Sequence, residues 1–293
     1  MGYQSAFRPG LFAGKVVIVT GGASGIGRCT AHELASLGAT VAIIDLDRAT
    51  DKLAAVKKEI EDDGGKAITG VCDIREEAAV CAVVDQVLAE AGRIDGLFNN
   101  AGGQFPGPMK GISTKGFEAV VKNNLTGGFI FMREVYTRWM EANGGAIVNT
   151  VADMWMGWPG YAHSGAARAG MHNLTESAAC EWAASGVRVN SIAPGGIMSS
   201  AYLNYPPAVI KETLKYPENI PLQRFGTVSE ISATVTFLLS PAAAYITGTC
   251  IRVDGGGPNA RRPYKLQPHS RSIPFEGFHR NDVSLEALQK KCA

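Results

Sequence analysis

The sequence has little net charge, no closely paired cysteines and no long hydrophobic run. Its 28 Lys and Arg residues nearly balance 27 Asp and Glu residues, so we expect no nucleic-acid partner and no attraction to an anionic membrane. No apolar run approaches the roughly 18 residues of a membrane span, and residues 1–10 do not resemble a secretory signal. The six cysteines form no C-x-x-C pair. This favours reduced thiols in a cytoplasmic protein, and we predict no metal site.

What the sequence contains is a regular alternation of short apolar strands and helices. Strands are predicted at residues 15–20, 40–44, 67–71, 96–98, 146–149, 187–192 and 249–253. Helices are predicted from residue 27 to about 37 and at 48–63, 75–92, 114–141, 161–185 and 228–239. This alternation predicts one α/β domain, a doubly wound parallel sheet of about seven strands with helices on both faces.

The composition changes after residue 257. The last 36 residues hold seven Lys or Arg but three Asp or Glu, and only residues 284–291 have a helical pattern. We therefore predict a domain over residues 1–257 and a C-terminal extension, residues 258–293, that forms no separate domain. Two interpretations of this tail stay open. It is either solvated or loosely docked, or it crosses to a neighbouring subunit or covers a substrate mouth.

A glycine-rich turn follows the first predicted strand and leads into the first helix. The residues expected to contact a ligand there are Gly21, Ser24, Gly25, Ile26 and Gly27. N–H groups at a helix N-terminus point at a bound pyrophosphate, and the helix dipole favours its negative charge. In this strand–turn–helix setting, the glycines predict a Rossmann-type dinucleotide site.

An acidic residue ends the second predicted strand. Asp45 lies 24 residues after Gly21, where a carboxylate can accept both ribose hydroxyls of an adenosine. It would also repel a 2′-phosphate, and no basic residue stands at Ser24 or Leu46 to pair with one. We therefore expect NAD(H) rather than NADP(H). The alternative is that Asp45 is only a turn residue at a strand end.

Further stretches occur in order along residues 11–257. They are Thr20-Gly21-x3-Gly25-Ile26-Gly27, Asn99-Asn100-Ala101-Gly102, Asn124-Leu125-Thr126-Gly127, Arg188-Val189-Asn190 with Pro194-Gly195, and Asp254-Gly255-Gly256. Together they resemble the short-chain dehydrogenase/reductase family. The resemblance implies a homotetramer and a nucleotide lying across the carboxyl ends of the strands. The further cofactor contacts that it implies are Asp73, Ile74, Asn100, Ala101, Gly102, Pro194, Gly195, Ile197 and Ser199.

The family's usual catalytic set is altered in this chain. That set is a serine, a Tyr-x-x-x-Lys pair and an asparagine, and the tyrosine is the acid or base. Aligned with the family, Ser164 stands at the tyrosine position and Arg168 at the lysine position, whereas Asn124 is retained. An arginine can hydrogen-bond a cofactor ribose and supply positive charge, but it cannot release a proton.

Other side chains near this helix are open to two interpretations. Tyr161 is either an acid that faces the substrate or an aromatic that packs on Pro159. Asp153 is a base or a loop cap. His163 is a cap, a hydrogen-bonding core residue or a catalyst, and His172 faces the substrate or a subunit contact.

A closer resemblance concerns the function. His163-Ser164-Gly165-Ala166-Ala167-Arg168-Ala169-Gly170 and Gly102-Gly103-Gln104-Phe105 resemble the peroxisomal trans-2-enoyl-CoA reductase branch, which is related to the 2,4-dienoyl-CoA reductases. That branch also carries Ser-x-x-x-Arg. It differs in having a Ser-Arg pair, suited to NADP, where this chain has Asp45-Leu46, and a tyrosine where this chain has His172.

Three functions follow as hypotheses. The first is an NAD(P)-dependent oxidoreductase that transfers hydride at the C2–C3 bond of an enoyl-CoA, where fixed donors and a cation stabilise the enolate. The second is an alcohol or ketone dehydrogenase with a non-standard acid or base, and the third is a dinucleotide-binding protein with little catalysis. An apolar substrate slot would be lined by Met154, Trp155, Met156, Trp158 and Met198, and CoA phosphates would meet Arg261, Arg262, Lys265 and Arg271.

Overall fold

The computed structural model describes residues 2–260 and 265–292. The strands in these residues are β1 (Val16–Thr20), β2 (Thr40–Asp45), β3 (Lys66–Val71), β4 (Gly96–Asn99), β5 (Gly145–Thr150), β6 (Val187–Pro194), β7 (Ile197–Met198), β8 (Gly226–Thr227) and β9 (Cys250–Val253). Seven of them form one sheet in the order β3-β2-β1-β4-β5-β6-β9, and every neighbouring pair is parallel. The predicted fold class is confirmed.

Helices cover both faces of this sheet. They are α1 (Gly25–Ser36), α2 (Thr50–Asp62), α3 (Glu77–Ala91), α4 (Thr114–Val121), α5 (Gly127–Val135), α6 (Glu141–Asn143), α7 (Ala162–Glu181), α8 (Pro207–Thr213), α9 (Val228–Leu239) and α10 (Leu285–Cys292). Helix α7 ends earlier than expected. A 3-10 turn follows it, and Gly186 then takes a φ of +71°, which stops a right-handed helix. Within the described residues no helix is both long and apolar enough to cross a lipid bilayer.

The central strands bury side chains on both faces of the sheet. In β1, Val17 and Val19 join the apolar cluster that includes residues of α1 and α9. Val16 and Ile18 join the opposite cluster, which includes residues of α3 and α5. Because successive strand residues point to opposite faces, both sets must be apolar. This is why the strands appear in the sequence as continuous hydrophobic runs.

The long helical segment at residues 114–143 is interrupted twice. π-helical turns at Lys122–Thr126 and Tyr136–Met140 separate α4, α5 and α6. Such turns insert an extra residue into the helix and are frequent at functional sites. The first of them contains Asn124, which is buried.

Residues 197–227, called the lobe below, lie at the carboxyl ends of the sheet. Strand β7 pairs with β8, and α8 lies between them in the chain. Met198, Ile210 and Phe225 of the lobe form a small buried cluster with Val283 and Leu288 of the C-terminal tail. The lobe is therefore held partly by the tail.

The tail packs against its own chain. The N–H groups of Gly277 and Phe278 both donate to Ser229 Oγ at 3.1 Å, and Phe278 is buried. His279 and Arg280 pair with Asp63 at 3.0 Å. The tail thus contacts the body of the domain near α2 and α9, and the lobe through α10, which packs on α8.

Candidate functional site

The glycine turn between β1 and α1 forms one wall of a cleft of about 460 Å³. Gly21 has a φ of +66°, and a Cβ there would stand 2.9 Å from Asn100 Nδ2. A Cβ at Gly27 would stand 2.2 Å from the Gly21 carbonyl oxygen. Neither position accepts a side chain, so the backbone of the turn remains open to a close approach by a phosphate group.

Most of the residues predicted to bind a cofactor line this cleft. They are Gly21, Ser24, Gly25, Ile26, Asp45, Asp73, Ile74, Asn100, Ala101, Gly102 and Ser199. Five others do not line it: Gly27 lies behind the turn, Arg168 lies in α7 behind Gly102, and Pro194, Gly195 and Ile197 lie at the end of β6 and the start of β7.

Asp45 holds the turn and also faces the cleft. Its Oδ2 accepts a hydrogen bond from the Ala23 N–H at 3.1 Å, and its Oδ1 accepts one from the Leu46 N–H at 2.8 Å. Both interpretations from the sequence therefore have a basis in the structure. Arg48 lines the same cleft, and the sequence argument missed it because only Ser24 and Leu46 were considered as partners for a 2′-phosphate.

A hydrogen-bonded bridge joins the ends of β1 and β4. The Thr20 hydroxyl accepts from the N–H groups of Asn100 and Ala101, both at 2.9 Å. Asn100 Nδ2 returns a hydrogen bond to the Thr20 carbonyl oxygen at 3.0 Å. The floor of the cleft is thus fixed by backbone groups and short side chains.

Arg168 is a buried cation with little compensation. It projects from α7, only 8% exposed, and donates through Nη1 to the Thr150 carbonyl oxygen at 2.5 Å. Burial lowers its pKa to about 10, so it still carries its charge at neutral pH. In residues 2–260 and 265–292, no carboxylate forms an ion pair with it. A buried charge is costly unless it is paired, so the site fits a ligand rich in hydroxyl or phosphate oxygens.

Gly102 lines the cleft and lies against the polar side chains of Arg168 and Asn124 beside it. A Cβ at this position would stand 2.4 Å from Arg168 Nη2 and 2.6 Å from Asn124 Oδ1. The missing side chain lets the loop after β4 lie directly against both groups. A nicotinamide ribose fits this arrangement, since Arg168 can donate several hydrogen bonds in one plane.

Asn124 is clamped by the same loop. Its Oδ1 accepts from the Gly103 N–H at 2.9 Å, and its Nδ2 donates to the Gly103 carbonyl oxygen at 3.1 Å and to Ser164 Oγ at 3.3 Å. The π-helical turn thus places the Asn124 carboxamide against both the Gly103 backbone and Ser164.

Ser164 belongs to a polar chain that the sequence argument did not predict. Its Oγ donates to Gln104 Oε1 at 3.4 Å, and Gln104 Nε2 donates to the Tyr205 hydroxyl at 3.2 Å. Gln104 belongs to the stretch Gly102-Gly103-Gln104-Phe105, but the sequence pattern assigns it no role. Tyr205 lies in the lobe, 41 residues after Ser164, and no local pattern connects the two.

Tyr161 stands at the start of α7 and faces the lobe. Its ring lies 5.1 Å from the ring of Trp158. Burial, followed by the nearby Tyr205 hydroxyl, raises the pKa of Tyr161. The phenol therefore stays protonated at neutral pH.

The two histidines of α7 differ. His163 is fully buried with its ring 4.5 Å from that of Phe105, and neither ring nitrogen finds a hydrogen-bond partner among the described residues. The hydrogen-bonding role expected for it is not seen. His172 lies near Trp155, and its Nε2 is 3.8 Å from a carboxylate oxygen of Glu176.

Asp153 lies beside Asp254, which follows β9. Burial, then the charge of Asp254, raises the pKa of Asp153. The carboxyl group therefore keeps its proton to a higher pH than an exposed aspartate does.

The structure separates the residues of the expected apolar slot. Trp155 and Met156 are 44% and 78% exposed, whereas Met198 is buried inside the lobe cluster. Of the basic residues proposed for CoA, Arg261 and Arg262 lie outside the described residues. Lys265 and Arg271 are exposed in the tail.

The chain is similar to proteins of known sequence and structure. A family model described as "Enoyl-(Acyl carrier protein) reductase" matches residues 21–257. The peroxisomal 2,4-dienoyl-CoA reductase of Danio rerio is 35% identical over 87% of this chain and 85% of its own length. The probable 2,4-dienoyl-CoA reductase of Bacillus subtilis is 36% identical over 83% of this chain and 96% of its own length.

A solved structure shows the same similarity in three dimensions. It is described as the citronellol catabolism dehydrogenase AtuB of Pseudomonas aeruginosa PAO1. It is 51% identical in sequence, with a TM-score of 0.78, over 87% of this chain and 99% of its own.

Proposed function

The chain belongs to the short-chain dehydrogenase/reductase family and is an NAD(P)-dependent oxidoreductase, and from this premise we propose that it transfers hydride at the C2–C3 bond of an enoyl-CoA. The observation that carries the proposal is the buried Arg168, which keeps its charge at neutral pH and lies with Nη2 2.4 Å from the position a Gly102 Cβ would take. The site therefore offers a fixed positive charge and hydrogen-bond donors. Two relatives named 2,4-dienoyl-CoA reductase support this substrate class.

Different residues of the site would hold different parts of the dinucleotide. The glycine turn and Asp45 would hold the pyrophosphate and the adenosine ribose, and Arg168 the nicotinamide ribose. When bound, the dinucleotide supplies or accepts the hydride. In a conjugate reduction, negative charge develops on the thioester oxygen, and preorganised donors with a nearby cation stabilise that charge.

For the cofactor we propose NAD(H). Asp45 presents its carboxylate to the cleft, where it favours two ribose hydroxyls over a phosphate. Arg48, which lines the same cleft, acts in the opposite sense. The preference is therefore a balance between two side chains, and the ratio of kcat/KM for NADH and NADPH measures it.

A substrate panel tests the proposed reaction. Stopped-flow oxidation of NADH would be followed with crotonyl-CoA, longer enoyl-CoAs and a set of ketones. We expect oxidation by at least one enoyl-CoA. Oxidation by ketones without any reaction with enoyl-CoAs would contradict the proposal.

One observation favours a second candidate, the oxidation of an alcohol. The 51% identical structure is described as a citronellol catabolism dehydrogenase. Reduction of NAD+ by citronellol or other alcohols, in the absence of any enoyl-CoA activity, would support this reaction instead.

A further inference from the structure

The orientation of the Asn124 carboxamide is fixed by the backbone of Gly103. The Gly103 N–H can only donate, so the atom facing it at 2.9 Å must be the Asn124 oxygen. The Gly103 carbonyl can only accept, so it faces the Asn124 nitrogen at 3.1 Å. Side-chain amides are often ambiguous in their orientation, but these two backbone contacts leave a single choice.

This orientation determines the direction of the next hydrogen bonds. The second hydrogen of Asn124 Nδ2 points to Ser164 Oγ at 3.3 Å. Ser164 Oγ accepts this hydrogen bond, and in the structure it donates its own hydrogen to Gln104 Oε1 at 3.4 Å. While these hydrogen bonds are intact, Ser164 has no hydrogen left for a substrate oxygen, although it occupies the family's tyrosine position.

The hydrogen bonds continue from Gln104 to the lobe. With its oxygen turned to Ser164, Gln104 presents Nε2 to the Tyr205 hydroxyl at 3.2 Å. A phenol oxygen that accepts a hydrogen bond retains its own hydrogen for donation. Tyr205 also stands close to Tyr161, so the two phenols form the polar end of this chain.

We infer that Tyr205 is the catalytic hydrogen-bond donor to the substrate's acyl oxygen, and that Gln104 is the positioning residue that keeps the Tyr205 hydrogen available. This inference rests on the proposed function, because it needs a substrate with a carbonyl oxygen conjugated to the reacting bond. The phenol donates a hydrogen bond and keeps its proton, so no bond breaks at Tyr205. The role left vacant at the Ser164 position is thereby supplied from the lobe.

The place of Tyr205 in the fold fits this role. It lies just before α8, which packs on α10 of the tail. Lys291 in α10 donates to the carbonyl oxygen of Leu203, two residues before Tyr205. The donor is therefore carried by a segment that α10 contacts both before and after Tyr205 in the sequence, and such support helps to preorganise a donor.

The first test replaces Tyr205 by Phe and compares it with Tyr202→Phe. Tyr202 lies in the same segment with its ring 6.3 Å from that of Tyr205, and its hydroxyl is not part of the hydrogen-bond series that joins Asn124, Ser164, Gln104 and Tyr205. We expect Tyr205→Phe to lower kcat on the reactive enoyl-CoA about 100-fold, the usual cost of one lost oxyanion donor. The dissociation constant for NADH should stay unchanged in both variants, which shows that they are folded, and Tyr202→Phe should keep wild-type kcat.

The second test replaces Gln104 by Glu, which has the same shape. An ionised carboxylate can only accept, so Tyr205 would donate to it and lose its hydrogen for the substrate. We expect kcat to fall at neutral pH and to recover as the pH is lowered, because a protonated Glu restores the original directions. The titratable groups near position 104 are Tyr205, with Tyr161 beside it. The neighbouring residue Phe105 contacts His163, and Gly102 contacts Arg168. The wild-type pH profile corrects for their contribution.

The outcomes separate this inference from the proposed function. If the wild-type protein reduces no enoyl-CoA, the proposed function fails. If it does, and Tyr205→Phe lowers kcat by less than about tenfold, or Gln104→Glu shows no recovery at low pH, the inference is wrong and the proposed function stands. An equal loss of kcat in the Tyr202→Phe and Tyr205→Phe variants would also overturn the inference about Tyr205.

Discussion

The candidate site has two halves, the proposed cofactor cleft and the group of polar side chains beside it that we propose meets the substrate, and different kinds of contact hold them. In the cofactor half, the turn after β1 and the end of β4 are fixed by backbone hydrogen bonds and by glycines whose side chains would collide. In the proposed substrate half, Asn124, Ser164, Gln104 and Tyr205 come from four separate segments and bond to one another through side chains, and among them Asn124 is also bound by the Gly103 backbone. A backbone-built site tolerates change in its surroundings, whereas a side-chain network depends on every member.

The largest expected effect is at Arg168, which serves both halves. Replacing Arg168 by Ala removes the buried cation, and we expect kcat/KM to fall about 100- to 1,000-fold. Affinity for NADH should weaken about 10-fold or more, since hydrogen bonds to a charged group are worth ~1.5–3 kcal/mol. Fluorescence titration of NADH and steady-state kinetics measure the two effects.

Arg168→Lys is the matched control. It keeps the charge but loses the planar fork of donors, so we expect it to lie between the wild type and Arg168→Ala. Unchanged NADH affinity in Arg168→Ala would show that the arginine does not hold the ribose.

The next effect concerns the contact between the halves. Gly102→Ala would place a Cβ 2.4 Å from Arg168 Nη2 and 2.6 Å from Asn124 Oδ1. Overpacking of this kind costs ~1–3 kcal/mol, which corresponds to a loss of about 10- to 100-fold in kcat/KM. The control is Gly111→Ala, where the nearest atom would be 3.7 Å away and activity should not change. Equal activity in both variants would mean that the loop moves away freely.

A smaller effect is expected within the cofactor half alone. Asp45→Asn removes the charge that repels a 2′-phosphate, while the amide oxygen can still accept from the Ala23 or Leu46 N–H. We expect the NADH-to-NADPH ratio of kcat/KM to fall about 10-fold, which corresponds to ~1.4 kcal/mol. Arg48→Ala should shift the ratio in the opposite direction. If Asp45→Asn leaves the ratio unchanged, Asp45 is a turn residue only.

The smallest effect on activity is expected at α1, which follows the glycine turn and touches the tail. Here the predicted change is in the stability of the fold. The His32 ring lies 5.1 Å from that of Phe278, and the pKa of His32 is lowered to about 4, chiefly by burial. The unfolded chain binds this proton near pH 6.5. As the pH falls from about 6.5 to 4, only the unfolded state takes up the proton, so the free energy of unfolding decreases, by on the order of 3 kcal/mol.

Thermal unfolding between pH 4 and 7 tests this dependence. His32→Gln should flatten the decline in Tm with falling pH. The pKa values of Glu59 and Asp63 beside it are lowered from 4.5 and 3.8, so their contribution begins to be lost only at the acidic end of this window, near pH 4.5 and below. An identical slope in His32→Gln and the wild type would assign the decline to other groups.

Most of the fold could be predicted because its signals are local. Each strand of the main sheet is a short apolar run, and the turn at Gly21 is followed at once by its helix. The lobe could not be predicted in the same way. Strands β7 and β8 have two residues each, and they pair across 27 intervening residues, Ser199 to Phe225. The placement of the tail depends on Phe278, Val283 and Leu288, whose partners lie far away in the sequence.

The sequence by itself determined the seven-stranded sheet and the glycine turn, which follow from residue type and spacing along one or two elements. Its resemblance to the family implied that Ser164 and Arg168 stand in place of the usual catalytic pair. Only the tertiary structure decided that Gln104 joins Ser164 to Tyr205, and that the Ser164 hydrogen is already used. The physical reason is that these side chains lie far apart in the sequence and meet only after the chain has folded, when the Gly103 backbone also fixes the orientation of Asn124.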